Sequence, residues 1–348
     1  MTLLQSARRL ADNWLLQPIL KVAHKVFWRR RSVEPAHQSG GSQQVSVQIN
    51  GSEYSFFKPL GQGFYGSVQQ VTCLDQTFSQ ESDTPPATNM FAMKMIPRKE
   101  PGAEADSKEV GIMSELKGCH YIVGALGTTT DDQYEYILMP DAGGNLASLT
   151  QSGNSAGVYI NTRKRRKALN VLDKILERMS PRDGSFHALS EEMARKVFRG
   201  MLEGIHFMHE KEIVHRDIKP SNILVGQNGT GRLADFGAAA HLSDKPSEGG
   251  DGRFSPPERS SEAGSYTKAS DIWMAGACMA ATAISPAAVY TRRNKPRSTE
   301  EIRANVEKAD ISGDLKRLLL LMLQDNPALR PGAKELLSEP FFMTIQPL

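Results

Sequence analysis

Within "IVHRDIKPSNILV", residues 213 to 225, Asp217, Lys219 and Asn222 place a carboxylate, an ammonium and an amide within six positions. Phosphoryl transfer needs those three things: a carboxylate to orient the attacking hydroxyl, a cation near the moving charge, and oxygen ligands for magnesium. A further carboxylate, Asp235 in "LADFGAA", follows thirteen residues after Asn222. Upstream, "PLGQGFYGSV", residues 59 to 68, spaces Gly61, Gly63 and Gly66 ahead of Val68. Glycine lets a backbone approach a ligand closely at a cost in chain entropy, so this spacing fits a phosphate cradle or an ordinary hairpin turn. Each residue taken alone also has a plain use, as a turn cap, an exposed strand lysine or a solvated arginine.

Strand and helix signals supply carriers for these groups. Alternation in "VSVQINGSEYSFFKPL" predicts a strand running into the glycines, with "GSVQQVTCL" as its hairpin partner. "MFAMKMI" predicts a short strand bearing Lys94, and "AEADSKEVGIMSELK" a helix over about 103–117 with Val110, Met113 and Leu116 at helical spacing. "EYILMPDAGGNL" reads as a strand entering a glycine-containing connection. "LSEEMARKVFRGMLEGIHFMH" predicts a long helix with Ser190 as its N-cap.

The glycines, Lys94, Asp217, Asn222, Asp235 before Phe236 and Gly237, "SPPE" at 255–258 and Arg330 in "DNPALRPGAKELL" occur in one order over about 300 residues. The set resembles the eukaryotic-type protein kinase family and is most similar to its serine/threonine group. The resemblance implies an α+β, bilobal fold: a small, mainly antiparallel β N-lobe with one main helix, then a larger, mostly helical C-lobe. It implies ATP and Mg2+ as cofactors and protein substrates as partners. Asp217 would orient the acceptor hydroxyl, Lys219 would offset charge on the transferring phosphoryl, and Asn222 and Asp235 would hold the metal. Gly61, Gly63 and Gly66 would cover the phosphates and Val68 would roof the adenine. Lys94 would hold the α- and β-phosphates, pinned by Glu109, with Glu104 as the alternative. Leu138 is the expected gatekeeper, and Asn145 is expected to reach the ribose. "SDIWMAGA" supplies Asp271, Trp273 and Gly276 for a central helix beneath the catalytic loop, and Glu258 is expected to pair with Arg330.

Besides Pro256, which stands where alanine is usual in the motif at 255–258, two positions depart from the family pattern. Asp251 stands where a threonine usually bridges the catalytic Asp and Lys, so an acid there would approach Asp217 and raise its pKa, or pair with Lys219. Pro140 stands in the hinge where a backbone N–H would be donated to adenine, and proline has none. Arg216 is of the type that takes a phosphate or acid from the activation segment, whose candidates are Ser247 when phosphorylated, Glu248 or Asp244. Ser243 is the segment's other hydroxyl. A nucleotide-binding scaffold without turnover, in the manner of a pseudokinase, is the alternative reading these departures motivate. A small-molecule phosphotransferase would share the Asp and metal ligands but not "KPSN" together with "SPPE" and Arg330.

Composition fits such a domain. The chain has 348 residues, 39% hydrophobic and 23% charged, enough for one large domain or two lobes. Cys73, Cys119 and Cys278 lie far apart, which argues against a disulfide framework and for a reducing, cytoplasmic compartment. The net charge of +3 is uneven: residues 1–40 carry seven basic and two acidic side chains, a surplus of +5, and the rest carries −2. No nucleic-acid partner is expected of so balanced a body. Residues 1–31 alternate apolar faces with Arg8, Arg9 and Arg29 to Arg31, which fits contact with an anionic membrane surface, a targeting or delivery leader, or packing on the folded body. "RKRRK", residues 163–167, reads as a docking site for an acidic partner, an import patch or a solvated helix face. The expected division is leader and linker 1–43, catalytic domain 44–343 and tail 344–348. Within the domain the N-lobe covers about 44–138, the C-lobe about 145–343, and insertions about 75–89 and 150–187.

Overall fold

The computed structural model of the chain describes residues 46–63, 66–75, 89–98, 108–141, 144–151, 186–226, 228–244, 251–260, 266–291 and 295–343. The leader, most of both insertions, the basic run at 163–167, Glu104, Ser247 and Glu248 lie outside the described residues.

The first half of the described chain is a six-stranded antiparallel sheet. Its strands are β1 (Ser46–Ile49), β2 (Ser52–Gly63), β3 (Gly66–Cys73), β4 (Met90–Pro97), β5 (Gly127–Thr130) and β6 (Tyr134–Pro140), ordered β1-β2-β3-β4-β6-β5. Period-two alternation sends Val71, Phe91, Met93, Tyr136 and Leu138 to one face, where they bury with Ile49 and Tyr54 as a small core. Tyr54 meets Phe91 edge-on with ring centroids 5.6 Å apart. β5, "GTTT", was not signalled by apolar alternation; it is a half-exposed edge strand placed by its register with β6. One helix, α1 (Lys108–Glu115), accompanies the sheet and turns Ile112 and Met113 inward.

Helices dominate the second half. After the short α2 (Leu146–Gln151), α3 (Glu191–Glu210) begins at Ser190, whose side chain accepts the Met193 N–H. Ala194, Val197, Phe198, Met201, Leu202, Ile205 and Met208 recur at helical spacing, and all are buried. α4 (Lys268–Ala283), capped by Thr267 in a capping box with Ser270, is buried continuously from Ser270 to Ala283 and forms the centre of the larger core. Two hairpin strands, β8 (Ile223–Val225) and β9 (Gly231–Leu233), press against α3 so closely that a Cβ on Gly200 would overlap the Gly231 carbonyl, and one on Gly231 the Val197 carbonyl. Glycine at those two positions is what lets strand and helix touch. The result is the α+β, two-part architecture expected from the resemblance. Among the described residues, no helix is long and apolar enough to cross a membrane.

Candidate active site

The loop bearing Asp217 is held from below by one buried carboxylate. β7 (Ile213–Val214) pairs with β10 (Ala240–His241), and the chain then turns through Arg216 at φ 67°, a left-handed conformation that costs a branched or bulky residue energy. Asp271, 1% exposed in the first turn of α4, accepts the backbone N–H groups of His215 (2.8 Å) and Arg216 (3.0 Å) and faces His209 Nε2 at 2.9 Å. Those bonds overdetermine the turn and fix where Asp217 emerges. The His215 ring packs on Phe236, with centroids 5.2 Å apart, and so links this loop to the segment bearing Asp235.

Asp217 is saturated with donors. Its Oδ2 accepts from Lys219 Nζ at 2.7 Å and Asn222 Nδ2 at 2.9 Å, and its Oδ1 accepts the Asp251 N–H at 2.9 Å. Asn222 also donates to the Asp217 carbonyl at 2.9 Å, so its amide nitrogen is committed to the loop, while its amide oxygen, which accepts the Ser221 hydroxyl at 3.3 Å, keeps a second lone pair for a ligand.

A second cluster forms between sheet and loop. Lys94 lies on β4 opposite Val68 on β3 and Ile137 on β6. Its Nζ is 2.6 Å from Glu109 on α1 and 2.7 Å from Asp235 Oδ1. Lys94 and Glu109 are 6% and 5% exposed, whereas the Asp235 side chain is 34% exposed and so keeps an open side. Asp235 holds φ 65°, another left-handed non-glycine residue at the cluster. Burial opposes the Lys94 ammonium, but Asp235 and Glu109 override it and lift its pKa above the ordinary value. Burial and the nearby Asp235 raise Glu109 against the pull of Lys94. Asp235 is held below its usual value, because Lys94 outweighs the penalty of burial.

The glycines occupy the β2–β3 hairpin, with Gly61 opposite Val68 and Gly63 opposite Gly66. Gly66, at φ 147°, lies so near β4 that a Cβ would overlap the Met95 carbonyl, so its glycine answers to sheet packing. A Cβ at Gly61 would meet nothing within 4 Å. Leu138 is buried on β6, which Pro140 ends. Asn145 bridges to Leu224 and precedes α2, half-buried.

The segment after Asp235 corrects one expectation. The Asp251 carboxylate pairs with neither Asp217 nor Lys219; it is forked by Arg253, and only its backbone N–H turns to Asp217. Arg253 was not singled out in the sequence. Its signal was slight, a cation two residues beyond an unusual acid. Asp244 makes its ion pair with Lys108 of α1 at 2.5 Å, and His241 meets Glu115 of the same helix at 3.1 Å.

Glu258 does meet Arg330, through two bonds of 2.8 Å. The Arg330 side chain, 0% exposed, also donates to the carbonyls of Gln324 (2.8 Å), Ala269 (2.9 Å) and Asp325 (3.2 Å). Burial pushes Glu258 up, but the Arg330 fork and the Ser270 hydroxyl hold it below its ordinary 4.5. A depressed folded pKa gives stability that is fully present above the unfolded value and is lost as pH falls from about 4.5 through the folded one. Glu258→Ala is expected to destabilise the protein by about 3 kcal/mol at neutral pH, by leaving Arg330 buried without its counter-ion. It should also flatten the acid limb of stability against pH, both read by denaturant unfolding. An unchanged midpoint would show that the pair contributes nothing net.

Among the described residues, no group of three or more His, Cys, Asp or Glu side chains could hold a metal ion. Asp235 and Asn222 instead offer two hard oxygen donors, a set that suits magnesium completed by phosphate oxygens.

A family model described as protein kinase domain matches residues 54–342. Mitogen-activated protein kinase kinase kinase 3 of Arabidopsis thaliana is 36% identical over 177 residues, covering 45% of this chain and 28% of its own length. Serine/threonine-protein kinase 4 homolog B of Dictyostelium discoideum is 27% identical over 305 residues, 83% of this chain and 23% of its own length. A membrane-associated tyrosine- and threonine-specific cdc2-inhibitory kinase, wee-1.3 of Caenorhabditis elegans, is 32% identical over 162 residues, 44% of this chain and 23% of its own. The chain thus spans between about a fifth and two fifths of the length of the curated relatives it matches.

Proposed function

The chain belongs to the protein kinase domain family, and from that premise we propose that it transfers the γ-phosphoryl group of ATP, with magnesium, to serine or threonine hydroxyls of protein substrates. The observation that carries the reading is the convergence of Lys94, Glu109 and Asp235 in one cluster and of Asp217, Lys219 and Asn222 in another. Asp217 orients the acceptor hydroxyl and takes its proton as the new oxygen–phosphorus bond forms and the bond from phosphorus to the β–γ bridging oxygen breaks, releasing ADP. Lys219 offsets charge on the transferring group. Lys94, aimed by Glu109, would hold the α- and β-phosphates, and its contact with Asp235 keeps that carboxylate charged. Asp235 and Asn222 would hold magnesium, which when bound would neutralise phosphate charge. Gly61 gives the hairpin room over the phosphates, Gly63 and Gly66 shape its tip, Val68 covers the adenine, and Asn145 serves the ribose. With Pro140 unable to donate, adenine is met by the neighbouring backbone. The cytoplasm is the compartment this activity fits.

Lys219 two residues past Asp217 favours aliphatic hydroxyl acceptors, yet one relative's name carries tyrosine as well as threonine specificity. Phosphoamino-acid analysis of acceptor proteins labelled by the full chain separates the two. Phosphoserine and phosphothreonine are expected, and predominant phosphotyrosine would overturn the assignment of acceptor.

A further inference from the structure

Asp251 sets a second carboxylate beside the proposed base. Its backbone N–H donates to Asp217 Oδ1 at 2.9 Å, and its side chain is only 16% exposed. On the far side of Asp217, Lys219 Nζ lies 2.7 Å from Oδ2. A buried carboxylate on a residue that shares Asp217 with a lysine assigned to neutralise a moving phosphoryl group is a competitor for that lysine.

Here the competition is removed locally. The Arg253 backbone N–H and Nε donate to Asp251 Oδ1 at 3.0 and 2.9 Å, Nε reaches Oδ2 at 3.1 Å, and Nη2 closes the fork on Oδ2. The guanidinium sits 5.7 Å over the Tyr290 ring, which itself packs edge-on against Phe254 at 5.9 Å. Arg253 is therefore anchored by an aromatic face and by the short 3-10 turn that Asp251 caps. We infer that Arg253 is a positioning residue for phosphoryl transfer: by forking the Asp251 carboxylate it keeps that charge off Lys219 and leaves the Asp251 N–H to fix Asp217. Consistent with this, burial would raise the Asp251 pKa, but Arg253 brings it below the ordinary value, and Lys219 contributes only after Arg253.

The inference rests on the kinase reading above, and its test separates the two. Arg253→Met keeps an aliphatic stem over Tyr290 and removes the charge; the full chain carrying it is compared with wild type and with Asp251→Asn/Arg253→Met. The quantities read are kcat with magnesium-ATP and a protein acceptor, and nucleotide affinity by calorimetry. Arg253→Met is expected to lower kcat about 30-fold with nucleotide affinity within about twofold, because most of the cost is a stranded charge. Removing that charge in the double variant should restore at least tenfold of the loss, on the order of what one stranded charge costs. A purely structural role for Arg253 predicts that the double variant stays as slow as Arg253→Met, and that result overturns the inference, as does an unchanged kcat in the single variant. Absence of transfer by the wild-type chain would instead overturn the kinase reading, and the inference with it.

Discussion

Asparagine in place of Asp217 is expected to lower kcat about a thousandfold while nucleotide affinity stays within about threefold. Three donors converge on this carboxylate, from Lys219, Asn222 and the Asp251 backbone. An amide can accept on one side only. Its NH2 group must then face either the Asp251 N–H or the Lys219 ammonium, so the side chain loses both its charge and its aim. It also loses the ability to take the acceptor proton. Nucleotide contacts assigned to Lys94, the glycine hairpin and Asp235 are untouched, so affinity is the internal control. Steady-state kinetics with calorimetric binding checks this, and Asp217→Ala serves as a second variant free of the amide's mispaired donor. A loss of less than tenfold in both would remove Asp217 from its proposed role.

Lys94→Met is expected to reduce transfer by about 100- to 1000-fold and, unlike the Asp217 variants, to weaken nucleotide binding as well. Among the described residues, Lys94 is the one cation that touches both Glu109 and Asp235, at 2.6 and 2.7 Å. Without it, two carboxylates face each other with Glu109 almost fully buried, and the largest of the influences that depress the Asp235 pKa is gone, leaving Lys219 and His215. Asp235 then binds a proton more readily, which lowers its value as a magnesium ligand. Glu109→Ala leaves the Lys94 ammonium in place and, although it also removes the tie to the Phe236 backbone, should cost less. A Glu109 variant slower than Lys94→Met would mean that Glu109 has a direct role; a Lys94 variant with wild-type rate would sink the assignment of the cluster.

Much of this arrangement was legible in the chain because its signals are local. Ser190 ahead of an apolar rhythm marked the start of α3, and alternation around Lys94 marked β4. The α+β architecture was implied by the resemblance that the ordered motifs carry, and the family match over residues 54–342 agrees with it. What escaped depends on distance in space. β5 has no apolar pattern of its own and exists because β6 offers an edge. Gly66 looked like a phosphate contact, yet its immediate need is clearance from the Met95 carbonyl. Asp251 was expected to disturb Asp217 or take Lys219, because a sequence shows which charges are present and not which way a side chain turns. The 3-10 turn at Gly252–Phe254 brings Arg253 back onto Asp251 and reverses that expectation. The ties from α1 to the segment after Asp235, Lys108 to Asp244 and Glu115 to His241, join residues more than a hundred positions apart and had no local signature.

The most direct test of the account is transfer of labelled γ-phosphate from ATP to protein acceptors by the purified full chain in magnesium, with Asp217→Asn run beside it. The account predicts labelled acceptor from wild type, loss of label when magnesium is chelated, and almost none from the variant. Nucleotide binding without any transfer from wild type, or equal transfer from wild type and variant, would contradict it.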